Sequence, residues 1–252
     1  GGFGSSPRAS VRDWITVPPY AAQMFVNAVE WSRGTSPWPV TFPARVGVIG
    51  DYSKSNKLQL TGFLTGKGYA VTYYSNLLSD ATDYTTVISD LNAGKLDVVV
   101  LNTITGGSGL QSLLNAADAD GAGVVFLAPR TIDPADSIHQ SSVRVLDLNS
   151  TAIGDYVEGH GDGKVQMEIA NGHPVTGGMS VGKKTSIVNG GQNDYATLAT
   201  VVSPYVTVGE ARMTKPDART MIAVRERSSP PPPTTPTTRH VILAGLGVSK
   251  TT

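Results

Sequence analysis

Four short apolar runs, the first three each followed by a helical pattern, constrain this chain more than any other feature. The runs are "RVGVIGD" (Arg45 to Asp51), "YAVTYYS" (Tyr69 to Ser75), "LDVVVLN" (Leu96 to Asn102) and "GAGVVFLAP" (Gly121 to Pro129). Leu58, Leu60, Phe63 and Leu64 mark a helix after the first, stopped by Gly66 and Gly68. Val87, Ile88 and Leu91 mark a second helix ending at Gly94, and Leu110, Leu113, Leu114 and Ala117 mark a third. Apolar strands alternating with helices imply right-handed βαβ units and a parallel sheet covered on both faces. At 252 residues and 40% hydrophobic composition, the chain can build one large α/β domain or two small ones.

After Pro129 the pattern changes. "VRVLDLN" (Val143 to Asn149) reads as a further strand. "KVQMEIA", "KTSIVNG", "YATLATVV", "YVTVGEAR" and "RTMIAVRE" are short, β-leaning and separated by Gly, Asn, Asp or Pro. The expected fold is therefore α/β: a mostly parallel, flavodoxin-like three-layer sheet with an irregular β-rich C-terminal extension from about residue 143. "SSPPPPTTPTT" (Ser228 to Thr238) reads as a polyproline spacer loop, with docking to a proline-binding module as the alternative. "RHVILAGLG" (Arg239 to Gly247) is a closing strand with no helix after it.

Residues 1–17 are Gly/Ser-rich and read as a flexible N-terminal segment. A helix opens at Pro18-Pro19 and ends at Gly34, proline suiting a first turn and glycine the C-terminal position. Ala21, Met24, Phe25, Ala28 and Val29 form an apolar stripe about 100° wide, which must pack on a sheet. A proline-broken connector then leads to residue 44, so the expected organisation is 1–17, 18–43 and a domain over 44–252. The open question is whose sheet the stripe covers.

These residues together resemble the class I glutamine-amidotransferase-like fold, in its trehalose-utilisation (ThuA-like) branch. The resemblance rests on "RVGVIGD", on "LDVVVLN" leading through a helix to "GAGVVFLAP", on "NGHPVTGGM" (Asn171 to Met179) and on "RHVILAGLG". That branch carries a His-Pro-(Val/Ile)-Thr-x-Gly segment, and its closing strand is followed by a terminal helix similar to "MFVNAVEW" (Met24 to Trp31). By this resemblance the helix stands at the wrong end of the chain. Three arrangements account for it: a helix folded back into the slot beside the closing strand, an excerpt cut out of phase from a tandem array, or exchange of helices between copies. The first is slightly favoured. Exchange would make Ala21, Met24, Phe25, Ala28 and Val29 self-association residues, with other copies or neighbouring domains as partners.

The resemblance also implies a nucleophile on the turn after Gly123 to Leu127, where this chain has Ala128-Pro129-Arg130. Alanine carries no nucleophilic atom, and proline forbids the strained elbow. The chain has no Cys, which excludes disulfides, thiolate catalysis and Cys-ligated metals. Ser108 in "GGSG" (Gly106 to Gly109) reads as part of a loop turning into a helix rather than as a nucleophile or an anion cradle. His173 reads as a structural turn histidine and His240 as a strand boundary, while His139 sits in no motif. "EGHGDG" (Glu158 to Gly163), around His160, reads as a solvated turn, since no metal-ligand spacing supports it. Ligand binding, if present, belongs at the carboxyl ends of the parallel strands: Asp51, Tyr52, Asn102, Thr103 and Arg130.

Twenty basic and twenty acidic residues cancel, giving no electrostatic case for nucleic acid, and no apolar run reaches the ~18 residues of a membrane span. The chain begins with Gly-Gly, which reads as a processed product or an excerpt. Charged residues are only 16%, with abundant Gly, Ser, Thr and Val, which points to a secreted or cell-surface setting. The expected role is a non-catalytic structural or adhesive domain of a bacterial surface assembly, with no cofactor and with possible filament formation through the N-terminal helix. Carbohydrate binding or sugar processing is the alternative.

Overall fold

The computed structural model describes residues 19–34, 43–49, 59–74, 81–101, 108–127, 165–188, 201, 205–212, 219–226 and 238–243. Helix α1 (Pro19–Ser32) comes first and is followed by β1 (Arg45–Ile49), α2 (Gln59–Gly66), β2 (Ala70–Tyr74), α3 (Ala81–Asn92), β3 (Val98–Leu101), α4 (Ser108–Asp120) and β4 (Gly123–Leu127). Then come β5 (Val165–Ile169), a 3-10 turn (Pro174–Thr176), β6 (Lys184–Val188), β7 (Tyr205–Arg212), β8 (Arg219–Arg225) and β9 (His240–Leu243). All nine strands join one sheet in the order β2-β1-β3-β4-β9-β8-β7-β5-β6.

The sheet is mixed rather than mostly parallel. The four pairings from β2 to β9 are parallel, and the four from β9 to β6 are antiparallel. The β-rich half is thus a direct continuation of the parallel half, hydrogen-bonded to it through β8 and β9. "VRVLDLN" and most of "YATLATVV" lie outside the described residues.

The elements end where the sequence punctuates them. Gly34, Gly68, Gly94 and Gly121 all have positive φ, the backbone region in which a Cβ is costly, and each stands just past a helix. Helices α1 and α2 cover one face of the sheet through Met24, Phe25, Ala28, Val29, Leu60 and Leu64. Helices α3 and α4 cover the other through Val87, Leu91, Leu110, Leu113 and Ala117. The result is three layers.

Helix α1 packs on β4, β9 and the 3-10 turn of its own chain. Its last turn lies at the amino end of β4, where a Cβ on Gly123 would stand 2.1 Å from the Ser32 carbonyl oxygen. This is the slot beside the closing strand, so the stripe covers the chain's own sheet. Met24, Phe25, Ala28 and Val29, offered above for contacts between copies, are buried here, and the Ala21 side chain lies outside the described residues. Any contact between copies through the stripe requires α1 to leave this slot. Burying large side chains such as Met24, Phe25 and Val29 contributes about 1.5–3 kcal/mol each.

Two glycine substitutions separate close approach from ordinary crowding. Gly123→Ala should destabilise the protein by about 1–3 kcal/mol or more in urea unfolding, because the new methyl meets backbone. Gly209→Ala should cost less, since its Cβ would meet the flexible Met167 side chain, with Sδ at 2.6 Å. Equal costs would show that the helix contact at Gly123 is not rigid.

Candidate functional site

The carboxyl ends of the parallel strands, the place expected for a ligand, are reached by Ile49, Leu101 and Leu127. Asp51, Tyr52, Asn102, Thr103 and Arg130 follow those ends in sequence and lie outside the described residues, as do Ala128, Pro129, His139 and the Glu158–Gly163 segment with His160. Ser108 is the first residue of α4, in line with a loop that turns into a helix.

Two polar clusters lie among the described residues, and neither was legible as a cluster in the sequence. The first lies where the sheet changes from parallel to antiparallel. Tyr205, Arg225 and His240 stand side by side on β7, β8 and β9, set by the register Tyr205↔Arg225 and Arg225↔His240. Arg225 Nη2 donates to His240 Nε2 at 2.8 Å and to Asp118 Oδ1 of α4 at 3.1 Å. The Tyr205 hydroxyl lies 3.0 Å from His240 Nδ1, and the Thr238 hydroxyl donates to Asp118.

A guanidinium only donates, so His240 Nε2 must be the acceptor and Nδ1 must carry the hydrogen toward Tyr205. The imidazole is therefore neutral, and burial followed by the Arg225 charge pushes its pKa well below the ordinary value. Thr238, His240 and Asp118 superficially suggest a hydroxyl beside a base and a carboxylate. The base nitrogen already faces Arg225, however, and Thr238 and His240 are 1% and 2% exposed. The cluster clamps α4, β7, β8 and β9 together. His240 does open a strand, as the sequence suggests, but Arg225, Asp118, Tyr205 and Thr238 are scattered over 120 positions with no shared motif.

The second cluster seats α1. His173 accepts a hydrogen bond from the Val175 N–H through Nδ1 at 3.2 Å, closing the 3-10 turn of "HPVT", and Gly177 ends that turn in the left-handed region. The reading of His173 as a turn histidine agrees with this geometry. Its ring meets Trp31 of α1 edge-on, with centroids 4.5 Å apart. Arg239 stacks over the other part of the seam, 4.9 Å from the Trp31 ring, and donates to the Trp31 carbonyl at 3.1 Å. Asn27 donates to the Val175 carbonyl at 3.2 Å. The "HPVTGG" segment is thus the platform on which α1 docks.

No family model, curated protein or solved structure matches this chain. Among the described residues no group of three or more His, Asp or Glu is placed to hold a metal, and no helix is long and apolar enough to cross a membrane.

The clamp has a sign that can be tested. A histidine held below its ordinary value of about 6.5 contributes stability that is present in full above that value. The contribution is lost as pH falls from about 6.5 toward the depressed folded-state value. Unfolding free energy should therefore decline between pH 7.5 and 5.5, and His240→Phe should flatten part of that decline. Arg225→Ala should cost on the order of 3 kcal/mol in urea, because it leaves buried acceptors unpaired. A loss below about 0.5 kcal/mol would mean that the clamp is not structural.

Proposed function

We propose that this chain is a non-catalytic structural or adhesive domain of a secreted or cell-surface bacterial assembly, kept for its shape. The observation that carries this reading is where the polar side chains go: His173, His240, Arg225 and Asp118 all hold elements together. Ala128-Pro129-Arg130 at the position where the amidotransferase-like fold places its nucleophile supports the same reading, as does the lack of Cys.

We further propose a degenerate ThuA-like member of that fold, with flavodoxin-like layering. Support comes from the parallel order β2-β1-β3-β4-β9 with helices on both faces, and from α1 lying against β4 and β9, where a helix following the closing strand would pack. Because the slot is shaped by α1, an identical helix from a second copy fits it equally well. Exchange of α1 is thus the route by which copies would join into filaments or arrays.

A second reading has one specific support. Asp51, Tyr52, Asn102, Thr103 and Arg130 follow the carboxyl ends of the neighbouring strands β1, β3 and β4, which suits carbohydrate binding or sugar processing at that edge.

Electron microscopy and sedimentation of the full chain, beside a variant lacking residues 1–34, test the first reading. Assemblies that vanish on truncation and return when a peptide of residues 18–34 is added would support it. A full chain that stays monomeric at every concentration would leave α1 as a closure of its own domain and remove the exchange route. Glycan-array signal lost in Tyr52→Ala or Arg130→Ala, or glycoside turnover lost in Asp51→Ala, would instead favour the second reading.

A further inference from the structure

We propose that His173 is a pH-sensitive latch that holds helix α1 on the sheet more firmly at neutral pH and loosens it, by up to about tenfold in its opening equilibrium, in mild acid. The inference goes beyond the structural role and holds whether or not copies join. It rests first on geometry. His173 is the residue through which the docking platform is both folded and attached: its Nδ1 caps the turn, and its ring edge meets Trp31. Its side chain is 7% exposed, so water cannot take over either role.

Nδ1 accepts from a backbone N–H, so the neutral ring carries its hydrogen on Nε2. Acid can add a proton only at Nδ1, and that proton would confront the Val175 N–H donor. The cap would then break in the segment that α1 rests on.

The charged groups around the ring decide whether the imidazolium is tolerated in place. Glu226, just past β8, has Oε1 3.5 Å from Nε2, outside good hydrogen-bond geometry, and it is 67% exposed, so solvent screens its help. Arg239, ahead of β9, stands over Trp31 and opposes a second positive charge. On α1, Glu30 and Arg33 pair with each other at 3.8 Å, and Glu30 also accepts from the Tyr69 hydroxyl. On β6, Lys184 faces Glu168 at 3.8 Å. Burial is the largest influence and holds His173 below the ordinary histidine range, with Glu226 opposing and Arg239 reinforcing.

A released ring returns to the ordinary value of about 6.5, so acid favours release by up to about tenfold at pH 5.5 relative to pH 7.5. Amide hydrogen exchange on the full chain, corrected for intrinsic rates, reads this directly. The opening equilibrium of α1 amides over residues 24–33 should rise about tenfold between those pH values, and α1 should open more readily than β4. His173→Asn supplies a side-chain oxygen that caps the same turn and does not titrate. In that variant the α1 rise should disappear while β4, still sensitive to His240, keeps its own pH dependence. An equal α1 rise in His173→Asn, or α1 and β4 opening with the same equilibrium constant at pH 5.5, would overturn the latch. If the variant does not fold, the ring-proton resonances of His173 in the unaltered protein decide. A ring that stays neutral below pH 6 supports the latch, and one that titrates at 6.5 or above overturns it.

Discussion

Helix α1 reaches the sheet because position 123 carries no side chain. The Ser32 carbonyl occupies the space a Cβ would fill, and from that contact the helix lies across β4 and β9 with its stripe sealed. Everything on that face depends on the approach. Trp31 comes within reach of His173 and Arg239, and Asn27 reaches the Val175 carbonyl, only because the helix sits this close. Without α1 the strands β4 and β9 would present apolar side chains to water on that face, which a sheet of this type does not tolerate.

The opposite face is organised around a different necessity. Where β9 passes from a parallel neighbour to an antiparallel one, a buried arginine, histidine and tyrosine lie in adjacent strands. Each buried polar group has to find a partner, and Asp118 at the end of α4 provides the charge that Arg225 requires. The clamp therefore ties the helical half to the antiparallel half at β9, where pairing changes from parallel to antiparallel. His173 and His240 lie in different parts of the fold, and burial lowers the pKa of both.

A domain whose polar side chains serve internal bonds ties its stability to their protonation states. Burial of His240 lowers its pKa and so couples that stability to pH, and the first helix is attached through aromatic and capping contacts at its end.

The alternation of apolar runs and helical patterns was enough to locate β1 to β4, α1 to α4 and β9, because β1, β3, β4 and β9 are almost wholly buried, β2 is rich in β-formers, and each helix closes at a glycine that adopts positive φ. The short runs that form β5 to β8 were legible as strands but not as partners, since pairing depends on register and hairpin geometry rather than on local composition. Hence a sheet expected to be mostly parallel is evenly mixed. The stripe of α1 was plain from its spacing, whereas its destination was not: spacing specifies that a face must be covered, and only the three-dimensional slot beside β9 specifies by what. The turn role of His173 was readable from "HPVT", but its contact with Trp31, 142 positions away in sequence, was set by tertiary packing. The same holds for Arg225, Asp118 and His240. The sequence by itself determined which segments are strands and helices, because those preferences are local; the tertiary structure alone decided which buried charges meet, because that is fixed by strand order and close approach.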